Sequence, residues 1–185
     1  MNYLETERLI LRDWREQDLE PFAAMNADNA VMEFFPAVFS REESYAIAMR
    51  LQQDIDEIGY GFFAVALKAT GNFIGSVGLS AVTFDAAFVP AVEIAWRLAA
   101  ASWGQGFASE AARACLSHGF SGLGLSEIVS FTTPQNTKSM AVMERIGMSR
   151  DLEGDFEHPN LPVGHHLRAH VLYRIKNPRS SQTAK

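Results

Sequence analysis

Residues 102–110 read SWGQGFASE, and an apolar helical pattern starts inside that stretch, directly after the strand-like run AVEIAWRL. A strand that breaks into a glycine loop and re-forms as a helix constrains the fold more than any other feature of this chain. It offers unpaired N–H groups and the positive end of a helix dipole to an anion. Several phosphate-binding loops compete for this pattern. A P-loop closes on Gly-Lys-Ser/Thr, and no such ending follows here. A dinucleotide fingerprint needs a third glycine, but Ser109 stands at that position after Gly104 and Gly106. The third is the pyrophosphate loop of an acyl-CoA enzyme, with the preceding strand supporting the pantetheine arm. On these residues alone, a glycine-softened turn that binds nothing has near-equal weight.

Around this unit, strand and helix patterns alternate. ERLILRDW is polar at both ends and apolar in the middle, which predicts a strand. EQDLEPFAAMNA places Leu19, Phe22, Ala23 and Asn26 at helical spacing. Ser40 and Glu43 form a capping-box pair that opens a helix over SREESYAIAMRLQQDIDEIG. Its apolar side is carried by Tyr45, Ala48, Leu51, Ile55 and Ile58, and Gly59 suits its end. GFFAVALK and NFIGSVGLSAV predict strands joined through Thr70-Gly71-Asn72, a hairpin signal. The clearest helix covers 105–121, with Phe107, Ala108, Ala111, Ala112, Cys115, Leu116, Gly119 and Phe120 on one stripe. LSEIVSFTT predicts a strand, and NTKSMAVMERIG a helix ending at Gly147. A hairpin around HPNLPVGHH follows, with HLRAHVLYRI as its second strand and Leu167, Ala169, Val171, Tyr173 and Ile175 alternating inward. The expected fold is α/β (α+β): one domain over 1–177 with a mixed sheet and about four helices, then a polar tail over 178–185.

Length and composition agree with that. The chain has 185 residues, 48% hydrophobic and 21% charged, ordinary for a globular domain with a sizeable core. Its net charge of −6 argues against a general nucleic-acid binder, which would show a basic stripe, and favours a cationic acceptor through long-range steering. Cys115 is the one cysteine, so no intramolecular disulfide forms, which fits a reducing cytoplasm. No apolar run approaches the roughly 20 residues that cross a bilayer, and the N-terminus lacks a signal layout.

Specific resemblance enters with FTTPQNTKSMAVMERIGM, which leaves a strand, turns at Pro134-Gln135-Asn136 and starts a helix. Together with TERLILRDW, VEIAWRL and WGQGFASEA, in that order, it resembles the GCN5-related N-acetyltransferase (GNAT) superfamily, in the branch typified by ribosomal-protein-alanine N-acetyltransferases (RimJ/RimL-like). The likeness spans residues 5–175. It implies a mostly antiparallel sheet with a splayed central strand pair, and a loop at Gly104, Gln105, Gly106, Phe107 and Ala108 that holds the acetyl-CoA pyrophosphate. It further implies pantetheine pairing by the backbone of Trp96, Arg97 and Leu98, and a cofactor role for Asn136 and Ser139. The chain departs from the family at Trp103, where Gln or Arg is frequent and a phosphate contact is expected. It departs again at Met143, where many members place the tyrosine that protonates the leaving thiolate. Ser139 or a water then takes that task.

The chemistry itself needs a base for the ammonium proton and a donor at the developing oxyanion. Glu93, the strand carboxylate nearest the loop, is the leading base, against an equal alternative of a carboxylate paired across the sheet. Glu33 and Asp155 are weaker candidates. Cys115 falls on the apolar stripe well past the helix start, so direct transfer in a ternary complex is expected rather than an acyl-enzyme. His158, His165, His166 and His170 crowd the last hairpin, but no cysteine joins them, and loop hydrogen bonding or substrate-side lining outweighs a metal site. Phe34, Phe35, Phe39, Phe84 and Phe88 fall in connecting segments, as an acceptor groove, a satellite core or a dimer contact. The expected activity is acetyl transfer from acetyl-CoA to a primary amine, on a protein N-terminus or a small molecule, by a monomer or homodimer without metal. A CoA-binding sensor that catalyses nothing is the alternative.

Overall fold

The computed structural model describes residues 1–178, so the expected polar tail lies, but for Pro178, outside the described residues. The chain packs as two compact units, one of Met1–Ser80 with Ala95–Cys115, the other of Ala81–Ile94 with the described residues from Leu116 onward.

The first unit is built on an antiparallel ribbon of β1 (Asn2–Glu5), β2 (Leu9–Arg12), β3 (Phe62–Leu67) and β4 (Phe73–Ala81). β1 is absent from the sequence expectation: NYLE is too short to show a period. Between β2 and β3 come α1 (Glu16–Asn26) and α2 (Arg41–Ile58). α1 opens where Asp18 accepts from the Arg15 amide at 2.9 Å. The same carboxylate takes both guanidinium nitrogens of the buried Arg12, at 2.6 and 2.9 Å. A fully buried charge is tolerated here because its partner is bidentate and equally buried. α2 carries the capping box, with the Glu43 amide on Ser40 Oγ and the Ser40 amide on Glu43 Oε2. It ends at Gly59, whose φ of 84° is left-handed. One expectation fails in its last turn. Ile58 is 58% exposed, because it is the final helical residue and no further turn extends the packed face over it.

β5 (Val92–Leu98) belongs to both units, its first three residues to the second and its remainder to the first. α3 (Phe107–Ser121) follows it, with Ala111, Ala112, Cys115 and Leu116 buried along one stripe. In the second unit β6 (Glu127–Thr132) runs parallel to β5, in register at Glu93 and Val129. α4 (Thr137–Arg145) leads into the hairpin of β7 (Ser149–Glu157) and β8 (Ala169–Lys176). β8 inserts antiparallel between β6 and β7, giving the sheet order β1-β2-β3-β4-β5-β6-β8-β7. The burial along β8 corrects the expected alternation. The strand starts at Ala169 rather than His166, Ala169 is exposed, and Val171, Leu172 and Tyr173 are all buried in succession. A strand covered on both faces loses the one-in, one-out pattern. β7, at the edge, is polar and bulged between Asp151 and Phe156, which discourages pairing with another chain. Among the described residues, no helix is long and apolar enough to cross a membrane.

Candidate active site

At the end of β5 the backbone of β4 comes unusually close. A Cβ on Gly75 would lie 2.2 Å from the Arg97 carbonyl oxygen, so only glycine fits there. The Ala99 amide donates to Ile74 O at 2.9 Å on the same side. Arg97 and Ala99 thus turn their backbone groups toward β4, and strand alternation turns those of Trp96 and Leu98 away from it. The Leu98 carbonyl is taken by the Trp103 indole N–H at 2.8 Å. Trp103 therefore closes the strand end.

The loop that follows is held from behind. Gly104 and Gly106 adopt φ of 73° and 82°, a conformation that costs other residues about 1 kcal/mol or more. The Gln105 carbonyl accepts from Arg8 Nη1 at 3.0 Å, and the Gln105 amide nitrogen Nε2 donates to Ala101 O at 3.1 Å. Arg8 lies 4.5 Å from the centre of the Phe107 ring and ion-pairs with Glu110, Nε to Oε2 at 2.7 Å. Thr6 Oγ1 donates to the other Glu110 oxygen at 2.6 Å. Burial would raise the Glu110 carboxyl, but the hydrogen bonds from Thr6 and Arg8 outweigh it and hold the group below the usual range. The loop's front is different. The first intrahelical bond of α3 runs from the Glu110 amide to Gly106 O at 3.0 Å. The amides of Gly104, Gln105, Gly106, Phe107 and Ala108 meet no acceptor among the described residues. Gly104, Gln105 and Gly106 are also exposed. A row of free N–H groups at a helix start is suited to an anion with several oxygens.

The sequence did not single out Arg8, Thr6 and Glu110 as parts of this site. Two of them lie in the quoted run TERLILRDW and the third in WGQGFASEA, but Arg8 and Glu110 are 102 positions apart and nothing local pairs them.

Arg97 sends its side chain into the first unit. Nη1 donates to Asn26 Oδ1 at 2.8 Å and lies 3.5 Å from Met32 Sδ. The guanidinium carbon stands 4.7, 5.7 and 6.0 Å from the ring centres of Phe35, Phe22 and Phe39. Burial lowers its pKa to about 10, so it remains a cation at neutral pH. Glu33, on the same segment, is exposed. A separate groove of about 850 Å³ between α1 and α2, lined in part by Trp14, Leu19, Met49 and Gln52, shares no residue with the loop.

In the second unit, Glu93 sits half-buried on β5, and desolvation pushes its carboxyl up to about 7. The neighbouring Ile94 carbonyl accepts from Ser130 Oγ at 2.8 Å. Asn136 caps α4: its Oδ1 accepts from the Ser139 amide at 3.1 Å, and its Nδ2 donates to Thr132 Oγ1 at 3.0 Å. The half-buried Ser139 hydroxyl makes no hydrogen bond among the described residues. Met143 is fully buried. Tyr173, from β8, donates to Glu144 at 3.2 Å, and burial with that bond raises its phenol. Asp155 ion-pairs with Arg150 on the surface. Cys115 is buried, and burial alone pushes its thiol up to about 12.

The connecting-segment phenylalanines divide. Phe35 and Phe39 face Arg97, while Phe84 and Phe88 join Phe131 and Phe156 around the buried Val82, Val129 and Leu172, a satellite core. The histidines divide too. His158 and His170 sit 5.1 Å apart against that cluster, both lowered chiefly by burial, while His165 and His166 stack on each other. Among the described residues, no group of His, Cys, Asp or Glu is arranged to hold a metal ion.

A family model described as "Acetyltransferase (GNAT) domain" matches residues 8–149. The chain is 30% identical over 174 residues to the uncharacterized N-acetyltransferase YnaD of Bacillus subtilis (strain 168), covering 94% of this chain and 96% of that protein. The crystal structure of a GNAT-family acetyltransferase from Bacillus anthracis matches with a TM-score of 0.78 and 28% identity, over 94% of this chain and 98% of that one. The ribosomal alpha-N-protein acetyltransferase RimL, solved in complex with coenzyme A, shares the fold at 18% identity and a TM-score of 0.73, covering 92% and 95%.

Proposed function

The chain belongs to the acetyltransferase (GNAT) domain family, and from that premise we propose that it moves the acetyl group of acetyl-CoA directly to a primary amine. It is an acyl-transfer enzyme by that membership, and we assign it an amine acceptor and a ternary complex. The observation that carries the assignment is the row of unpartnered amides from Gly104 to Ala108 at the start of α3. They suit a pyrophosphate, and the outward-turned backbone of Trp96 and the Leu98 amide suit the amide-bearing arm that follows it.

In the proposed reaction, the amine nitrogen attacks the thioester carbonyl, a C–N bond forms and the C–S bond breaks. The Glu93 carboxylate takes the proton of the incoming ammonium, a task for which a pKa of about 7 is well matched. The Ser139 hydroxyl, without a hydrogen bond among the described residues, is assigned the relay that hands the departing thiolate a proton and takes in return the second proton the nitrogen sheds as the amide forms. Asn136 sets the start of α4 and thereby the position of Ser139. An acyl-cysteine step is disfavoured by the buried Cys115, since only the thiolate is a nucleophile and a thiol at about 12 is protonated at neutral pH.

Acetyl-CoA offered with a panel of amines and N-terminal peptides, followed by release of free thiol, tests this directly. Turnover on at least one amine class, with no acetyl-enzyme trapped by rapid acid quench, is the expected result. Tight binding of acetyl-CoA with no turnover on any amine would instead favour a sensor.

A further inference from the structure

This chain gives its enclosed arginines carboxylates. Arg12 has Asp18, Arg168 has Glu157, and Arg174 has both Asp151 and Glu127. Arg97 is the exception. Its surroundings are the neutral oxygen of Asn26, the thioether of Met32 and the rings of Phe22, Phe35 and Phe39. Among the described residues, no acid meets it, in a chain whose net charge is −6 and which has 22 acidic residues to choose from.

The unmet part of the group has a specific shape. Nη1 is engaged with Asn26 and Met32, whereas Nε is buried without a partner and Nη2 makes no hydrogen bond among the described residues. Nε and Nη2 form the side edge of the guanidinium, the edge whose parallel N–H bonds grip both oxygens of one carboxylate. Leaving it empty in a low-dielectric cage is unfavourable, so the cage is built for an anion that the chain does not supply. The aromatic faces hold the cation in place without neutralising it. Asn26 fixes the Nη1 end, and it is itself fixed, buried, with Nδ2 donating to Ser44 Oγ at 3.1 Å. Phe35, which stands over the guanidinium at 4.7 Å, is itself 37% exposed.

We infer that the acceptor is an amine that also carries a carboxylate, of the amino-acid type, and that the Nε–Nη2 edge of Arg97 reads that carboxylate. This rests on the proposed amine acetylation and narrows its acceptor. Arg97 is then a specificity-determining residue through its side chain, separate from any backbone contact on β5.

Matched acceptors test it: α-amino acids, their α-amides and the corresponding amines without the carboxyl group, each with acetyl-CoA and thiol release as readout. A bidentate charged bond predicts that an acid exceeds its amide by about tenfold to a hundredfold in kcat/KM. In Arg97→Gln that ratio falls to near one, and in Arg97→Lys, which keeps charge without the fork, it is intermediate. The ratio is internal to each protein, so a general loss of stability does not affect it. A wild-type ratio near one, or one unchanged in Arg97→Gln and Arg97→Lys, overturns the inference. Calorimetric titration of N-acetyl amino acids and their amides into the CoA-saturated protein is a second readout that needs no turnover. If no amine is acetylated, the proposed function falls, and calorimetry still decides Arg97. Acid-selective binding that Arg97→Gln removes supports the inference; binding indifferent to the carboxylate, or none, overturns it.

Discussion

A carboxyl held near neutrality changes charge where an enzyme works, and Glu93 is such a group. Its folded pKa of about 7 lies above the ordinary 4.5, so between those values the folded chain binds a proton that the unfolded chain has released. The stability that Glu93 permits is therefore full below 4.5, falls as pH rises through that window and is flat above about 7. Glu93→Gln removes the slope. Thermal unfolding across pH is expected to show the variant gaining on wild type toward pH 8 and losing that gain toward pH 4. In catalysis the sign is opposite, since the base works deprotonated. Wild-type kcat/KM should climb through about pH 7, and Glu93→Gln should lose about a hundredfold together with that limb. A variant that keeps the limb would remove Glu93 from the role. The sequence pointed to this residue by its place on the strand before the loop. It did not indicate the shift, which comes from burial that only the assembled sheet supplies. Asn136 entered through the family resemblance and not as a cap, although its capping side chain bonds a near neighbour, the Ser139 amide. The cage at Arg97 was hidden, since its walls come from the segment between α1 and α2.

Elements built on local chemistry were legible, while those shaped by their neighbours were read less well. The Ser40–Glu43 box, the Gly59 stop and the α3 stripe all follow from contacts within a few residues. β8 misled because its period presumes one wet face, whereas Val171, Leu172 and Tyr173 are buried in succession, on both faces. The approach of β4 to β5 is a third case, where a glycine in a strand signals a close neighbour without naming it. Gly75→Ala puts a methyl group against the Arg97 carbonyl and Leu98. Denaturant unfolding is expected to show a loss of about 2–4 kcal/mol from this overpacking and from the positive φ of 147° that alanine does not share. A midpoint unchanged from wild type would mean that β4 does not press on β5.

For the whole chain, ligand binding and folding are linked. If the amides of α3 hold the diphosphate of acetyl-CoA, the folded state is favoured by about 2.7 kcal/mol at a hundred times Kd. For a chain of 185 residues that raises Tm by roughly 5–10 °C, since each kcal/mol is about 2–4 °C at this size. Scanning calorimetry with acetyl-CoA, against acetate alone as control, checks it. From β2 onward, the order of strands and helices that makes this possible was readable. The pairing that steadies the loop was not, because Arg8 and Glu110 meet across 102 positions.

Only three tryptophans occur in the chain, and Trp96 and Trp103 flank the junction of strand and loop. The Trp103 indole N–H is tied to the carbonyl that ends β5. Indole emission responds to such a bond and to charge brought beside it. The enzyme therefore carries a built-in optical probe of its own occupancy, and a plain fluorimeter can follow a titration without any dye.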